Sequence, residues 1–300
     1  MVHNVLLGVI GGSGFYELSG FEHVKTVNPE TPWGFPSSPI NIVKSKTGLH
    51  VAFLARHGVG HRYTPTEIPV RANIAALKSL GVQAILAFSA VGSLREEIPP
   101  EDFVLPNQII DRTLCARPNT FFPSGCVAHV SFGDPFDADL ARIVAQCAGA
   151  LERGAKLHVP TVDHDLTVVC MEGPAFSTRA ESKLYRSWGA SVINMSVIPE
   201  AKLAREAEIA YQMVCMATDY DCWRKSERPV TVNEVMTHLS NNTDNAKQLL
   251  TQVIKLLEPE LRKGSIGETL RGAVQHGIQT NHAHRDPAVV GKLRFLFPSL

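Results

Sequence analysis

Neither sign of charge prevails in this chain, where 29 lysines and arginines balance 29 aspartates and glutamates. That removes the basic field a nucleic-acid binder needs and the polybasic patch that draws a protein to an anionic membrane. The N-terminal MVHNVLLGVIGG lacks a cationic n-region, and its apolar run is too short for a signal peptide or a membrane span. Cys-x-x-Cys pairs are absent too. Cys115, Cys126, Cys147, Cys170, Cys215 and Cys222 are scattered, mostly in apolar surroundings such as VVCM and MVCM, and are expected to be reduced, buried thiols. The expected location is cytoplasmic, with nuclear entry left open because no basic cluster signals it. No Gly-x-Ser-x-Gly or His-Glu-x-x-His element occurs, so hydrolase and zinc readings lack their usual marks. His276, His282 and His284 sit in a polar stretch without periodicity and are read as solvated rather than metal-binding. Internal repeats and low-complexity linkers are missing as well, which favours a single domain over 1–300.

What is present is alternation of short apolar runs with helical stretches, the mark of an α/β fold. Val5–Ile10, Ile40–Ser45, His50–Ala55, Val82–Phe88, Phe103–Asp111, Leu166–Met171, Val192–Ile193 and Tyr211–Ala217 read as strands. Pro65–Leu80, Asp137–Leu151, Thr178–Trp188 and Pro199–Glu208 read as helices. A capping box at Thr231 and Glu234 opens another, running to about Leu257. The segment from Leu114 to Pro135 is a long loop, of the kind that is functional or lies at an interface.

The strand ends carry the chemistry. Gly11-Gly12-Ser13-Gly14 follows the first strand, and such a turn lets backbone amides approach an anion closely. It fails as a dinucleotide fingerprint, because Glu17 stands where the third glycine belongs. Arg56-His57 ends another strand, a fork of donors beside a titratable ring that suits phosphate. Ser89-Ala90 and Ser196 offer further hydroxyl and amide donors. The stretch from Val192 to Asp221 organises the rest: its two strand ends would hold Asn194-Met195-Ser196 and Thr218 to Asp221 side by side, where open α/β sheets keep ligands. Asp219 and Asp221 suit an acid–base pair or recognition of an exocyclic amine, and a solvated turn is the plainer alternative. Residue types alone reach an anion-binding α/β enzyme with an acidic recognition loop.

IGGSGFYEL, LARHGVGHRYTP, SAVGSLREEI, EGPAFSTRAES, VINMSVIPEAKLAREAEI and ATDYDCW together resemble the methylthioadenosine-cleaving branch of the trimeric purine nucleoside phosphorylase family. The matches run in order over about residues 5–257. The resemblance implies a single α/β domain with a central mixed sheet flanked by helices, and a homotrimer with active sites near subunit interfaces. It implies phosphorolysis of methylthioadenosine to adenine and 5-methylthioribose 1-phosphate, with inorganic phosphate as co-substrate and no cofactor or metal. Phosphate would be held by Ser13, Arg56, His57, Ser89, Ala90 and Ser196. Met195 would lie beside the ribose, and Phe176, Ser177 and Tyr220 would belong to the substrate pocket with Asp219 and Asp221. Val232, Val235 and Met236 would meet the methylthio group, with His129 from a neighbouring subunit. Asp219 would serve as general acid if Asp221 and burial raise its pKa. Serine stands at 13, 89 and 196 where this family often has threonine, and about 264–291 is longer than the family pattern leads one to expect.

Two other functions compete. A phosphorylase for 6-oxopurine nucleosides would want an amide donor where this chain has two carboxylates. A catalytically silent purine-binding or scaffold protein would have no use for Arg56, His57 and Asp219 together.

Overall fold

Residue type and periodicity account for most of the core. The computed structural model describes residues 5–13, 15, 20–224 and 232–300, with only the backbone within 232–237. The elements in order are β1 (Leu7–Gly11), β2 (Glu22–Val27), β3 (Ile40–Lys44), β4 (His50–Ala55), α1 (Val70–Ser79), β5 (Ala84–Ser93), β6 (Phe103–Val104) and β7 (Gln108–Arg112). There follow α2 (Ala138–Gln146), β8 (Leu157–His158), β9 (Thr167–Met171), α3 (Arg179–Ser187), β10 (Val192–Asn194), α4 (Val197–Glu206) and β11 (Ala210–Tyr220). Three helices close the chain: α5 (Val232–Lys263), α6 (Ala273–Gly277) and α7 (Pro287–Leu293).

The strands form one mixed sheet with helices on both faces. Because side chains alternate along a strand, β11 sends Tyr211, Met213, Cys215 and Ala217 to one face and Ala210, Val214 and Met216 to the other. The first set packs with Ile74 and Leu77 of α1 and Leu203 and Ala204 of α4. The second packs with Leu140, Ile143 and Val144 of α2 and Leu249, Leu250, Val253 and Ile254 of α5. Strands covered on both faces need nearly continuous apolar sequence, which is why β1 reads as the unbroken, fully buried LGVIG.

The sheet forks at β5. The order β2-β3-β4-β1-β5-β10-β9-β7 is one path, while β11, β6 and β8 branch from the other edge of β5. β11 runs parallel to β5 from Ala84 to Ser93. On the opposite edge β1 pairs only up to Ala87, and β10 joins antiparallel at Gly92 and Ser93. Residues 88–91 of β5 are therefore left between two diverging strands.

Several sequence expectations change in detail. The strand ends at Asn194 and Asp219 do not lie side by side on one sheet edge. They flank β5 from opposite sides, and antiparallel β10 brings its carboxyl end to the middle of β5. The helix expected from Pro65 begins only at Val70, because Pro69 disfavours helical geometry in Ile68. The strand expected over 103–111 is split around Pro106, which cannot donate to a ladder: β6 joins β11 and β8, whereas β7 joins β9. The second helix stops at Gln146, with a short 3₁₀ turn over Ala148–Ala150. The capping box at Thr231 and Glu234 lies outside the described residues, and α5 extends beyond Leu257 to Lys263. The stretch after it is not without structure: Val274, Leu293, Leu296 and Phe297 enter the core.

Leu250 is fully buried in the layer between α5 and the sheet. Leu250→Ala is expected to cost roughly 2–5 kcal/mol of stability, read as a lower urea midpoint with little change in slope.

Candidate active site

A cavity of about 510 Å³ occupies the fork. Its floor is the stretch of β5 whose edge lies open between β1 and β10, and its walls are the loops after β1, β4, β9, β10 and β11. Ser13, Arg56, His57, Ser89, Ala90, Phe176, Met195, Ser196, Asp219 and Asp221 all line it.

Arg56 follows β4 and is 1% exposed. Its amide donates to the Gly11 carbonyl (2.9 Å), fastening the end of β4 to the end of β1. Nε and Nη2 donate to the two carboxylate oxygens of Glu200 at 2.8 and 2.9 Å, and Nη1 donates to the Phe88 carbonyl at 2.8 Å. Glu200 also accepts from the Tyr211 hydroxyl at 2.7 Å. Burial works against the Arg56 charge, but Glu200 more than offsets it and holds the guanidinium above its ordinary range. One N–H on each terminal nitrogen is left for a ligand. Gly12 makes room: a β-carbon there would stand 2.8 Å from Arg56 Nη1 and 2.8 Å from the Phe88 carbonyl.

The same carbonyl orients Ala90. N–H and C=O of one strand residue leave on the same side, and this side repeats every second residue. Phe88 turns its carbonyl to Arg56, so Ala90 turns its N–H into the fork. Beside it, the Ser89 and Ser196 hydroxyls lie 3.2 Å apart, and the Asn194 amide donates to Ser89 Oγ at 3.3 Å. These groups make a cluster of donors around one cation, suited to an oxyanion.

His57 Nδ1 lies 2.9 Å from the Tyr63 carbonyl. Because a carbonyl only accepts, Nδ1 carries the proton and Nε2 of the neutral ring is the acceptor. Burial lowers the His57 pKa to about 4, with Arg56 and the stacked His61 ring adding to the effect and the Tyr63 carbonyl opposing it. The two rings lie 4.1 Å apart, 10° from parallel. His61 lines the cavity as well.

At the other end, β11 carries an irregularity between Ala217 and Asp219 that shifts its register against β5. Such bulges re-aim side chains. Asp219 and Asp221 both approach Gly92, where a β-carbon would meet Asp221 Cβ at 3.2 Å and Asp219 Oδ2 at 3.4 Å. The Thr218 hydroxyl donates to Asp219 Oδ1 at 2.7 Å. Burial pushes the Asp221 carboxyl up, opposed by the Ser182 hydroxyl and the Cys222 amide and reinforced by Glu181. Burial thus lifts Asp221, the carboxyl that the sequence argument set beside Asp219.

Not every expected residue reaches the cavity. Tyr220 alternates away from the two aspartates, sends its hydroxyl to the Glu96 carbonyl and meets Trp223 edge-on. Ser177 is buried behind the wall, donating to Met171 Sδ at 3.3 Å. His129 is exposed elsewhere on the chain, its amide bonded to the Gly277 carbonyl. Val232, Val235 and Met236 lie outside the described side chains, although Leu239, about one turn further along α5, does line the cavity. Glu200 escaped the sequence reading because it looked like an ordinary helix former. Its surroundings, VIPEAKLA, were the available signal: a carboxylate in a mostly apolar stretch. Among the described residues no group of three or more His, Cys, Asp or Glu side chains is arranged to hold a metal ion.

A family model described as the phosphorylase superfamily matches residues 6–255. The chain belongs to the phosphorylase superfamily. Within it, the chain is 72% identical over 296 residues to the S-methyl-5'-thioadenosine phosphorylase of Schizosaccharomyces pombe, covering 99% of this chain and 96% of that one. The fold is similar to a methylthioadenosine phosphorylase from an antarctic soil metagenomic library (TM-score 0.88, 41% identity, 98% of this chain and 99% of that one). It is also similar to the methylthioadenosine phosphorylase of Schistosoma mansoni in complex with adenine (TM-score 0.82, 33% identity, 92% and 99% covered). The single-domain mixed α/β architecture is that of these phosphorylases.

Two measurements follow. Glu200→Ala would leave Arg56 buried without its counter-charge and is expected to cost about 3–5 kcal/mol in urea unfolding. His57 stays neutral in the native state down to about pH 4, whereas its unfolded pKa is near 6.5. Its contribution to stability is therefore complete above pH 6.5 and is lost as pH falls towards 4, because the unfolded chain takes up the proton first. His57→Gln should flatten the fall in stability between those limits.

Proposed function

We infer that this phosphorylase cleaves S-methyl-5'-thioadenosine with inorganic phosphate, releasing adenine and leaving 5-methylthioribose 1-phosphate. The observation that carries the reading is one cavity with an oxyanion cluster at one end and two carboxylates at the other. The names of its relatives support the same activity.

Phosphate sits among Ser13, Arg56, His57, Ser89, the Ala90 amide and Ser196. The ribose lies against Met195. Adenine lies between Phe176 and the Asp219–Asp221 pair, and the methylthio group points towards Leu239 and the start of α5, which carries Val232, Val235 and Met236. Ser177 and Tyr220 brace the base pocket from behind. Phosphate is a co-substrate, and no cofactor enters the reaction.

Cleavage of the C–N bond builds positive charge on the anomeric carbon and negative charge on adenine. Phosphate, fixed by Arg56 and the hydroxyls, supplies both nucleophile and counter-charge at one face of the sugar. Adenine departs far more readily once N7 is protonated. Asp219, oriented by the Thr218 hydroxyl, delivers that proton, beside an Asp221 carboxyl whose pKa burial raises. Two carboxylates also suit the exocyclic amine of adenine better than a 6-oxo group, which favours this substrate over inosine.

The working form is a homotrimer in which His129 of a neighbour approaches the methylthio end. Large exposed apolar side chains support this: Phe176 in the cavity wall is 63% exposed, and Val59, in the loop between His57 and His61, is 75% exposed. The location is cytoplasmic, in keeping with six free cysteines. No helix of the described residues is long and apolar enough to cross a membrane.

Adenine release from methylthioadenosine should require phosphate and exceed release of hypoxanthine from inosine. Asp219→Asn should lower turnover by about 10²–10⁴. A near-normal rate in that variant would remove Asp219 from the acid role, and phosphate-independent release would point to hydrolysis.

A further inference from the structure

The long loop between β7 and α2 contributes no side chain to the cavity, yet one of its residues reaches the backbone behind two cavity walls. Arg117 is 5% exposed. Nε donates to Glu172 Oε1 at 2.8 Å. Nη1 donates to the Met195 and Ile198 carbonyls at 2.6 and 2.7 Å. Nη2 donates to the Met171 carbonyl at 3.3 Å and to the Glu172 carbonyl. A guanidinium has five N–H donors, and all five are engaged. Glu172 in turn accepts from the Thr66 hydroxyl and from the Leu114 amide.

The placement matters because β9 and β10 are parallel neighbours whose ladder ends at Cys170 and Asn194. Beyond that point the ladder no longer joins the two chains, and their partly or fully buried carbonyls still need donors. Arg117 supplies four of them, two on each chain, and so acts as a rung beyond the end of the ladder. The same stretches provide Met171 and Pro174 on one side of the cavity and Met195 and Ser196 on the other. Met195 also packs on Gly173, where a β-carbon would stand 2.4 Å from its sulfur.

We propose that Arg117 is a positioning residue for phosphorolysis: by fixing the Met171–Pro174 wall against Met195–Ser196, it aligns bound phosphate with the ribose. This rests on the assignment of Ser196 to phosphate and Met195 to the sugar. Arg117 touches neither substrate. Its effect is on the alignment of the two, where displacements of about 1 Å can cost 10²-fold in rate. Lysine cannot replace it, since an ammonium has three donors on a flexible stem where the site uses a planar fork of five.

The test compares wild type, Arg117→Lys, Arg117→Ala and Ser196→Ala. It measures kcat, the KM values for phosphate and methylthioadenosine, and the Kd for adenine alone. For both Arg117 variants the expected result is a kcat lower by roughly 10- to 100-fold and a raised phosphate KM. Adenine, held by Asp219 and Asp221 at the far end as well as by Phe176, should lose far less affinity for them than phosphate does. Millimolar guanidinium should restore part of the activity of Arg117→Ala and none of that of Ser196→Ala. If Arg117→Ala fails to fold, Arg117→Lys decides the matter through the same split between kcat, phosphate KM and adenine Kd. Wild-type constants in Arg117→Lys would overturn the proposal, as would a loss of adenine affinity parallel to the loss of phosphate affinity. An unchanged phosphate KM in Ser196→Ala would overturn the underlying site assignment and the proposal with it.

Discussion

A guanidinium buried to 1% exposure must be paired, and the rest of this site follows from how Arg56 is paired. A lone buried charge costs several kcal/mol, against a total stability of about 5–15 kcal/mol for a typical protein. Glu200 meets that need from α4, Tyr211 steadies Glu200 from β11, and Phe88 binds the remaining face from β5. Three elements are thereby tied to the end of β4. The pairing also leaves two N–H groups directed to a ligand, so the interaction that permits burial of the cation also aims it. Arg56 and Glu200 are consequently hard to change singly, since either single replacement strands a charge in the interior.

The fold was legible in the sequence where side-chain period decides structure. β1, β4, β9 and β11 are mostly apolar runs of strand length, and they became strands because burial on both faces favours nearly continuous apolar sequence, with Gln212 of β11 a buried exception. The residues that meet at one end of the cavity were legible for a different reason: Ser13, Arg56-His57, Ser89-Ala90 and Ser196 all follow or interrupt such runs at small or polar residues. What the sequence concealed was relation. Nothing local reveals that β10 runs against β5, and that direction decides whether two loops stand side by side or face each other across a strand. Glu200 and Arg117 were hidden for the same reason. Their partners lie 144 and up to 81 residues away, and neither a helix former nor an arginine in an aperiodic loop announces a tertiary bond. Tyr220 shows the converse, since its place between two pocket aspartates suggested a contact that strand alternation forbids.

The division of the cavity accounts for the order in which chemistry can occur. One end concentrates fixed positive charge and hydroxyls on a rigid strand and on loops tied to it. The other gathers carboxyls beside a strand irregularity, with burial raising the pKa of Asp221. In the proposed reaction the sugar lies between them, and its charge rises only as the bond breaks. In that reaction the phosphate held at one end is the counter-charge to the sugar, and a carboxyl proton at the other neutralises the departing adenine, so that groups already in place lower the barrier.

The fork in β5 gives the molecule a built-in reporter. Amides of Ser89 and Val91 face β11 within a long continuous ladder, so their exchange with deuterium tracks opening of the sheet. The Ala90 amide sits between them in the same strand but faces the cavity, so its exchange tracks occupancy instead. Adjacent residues on one rigid strand thus record two separate equilibria, the opening of the fold and the filling of its site, within a single exchange experiment.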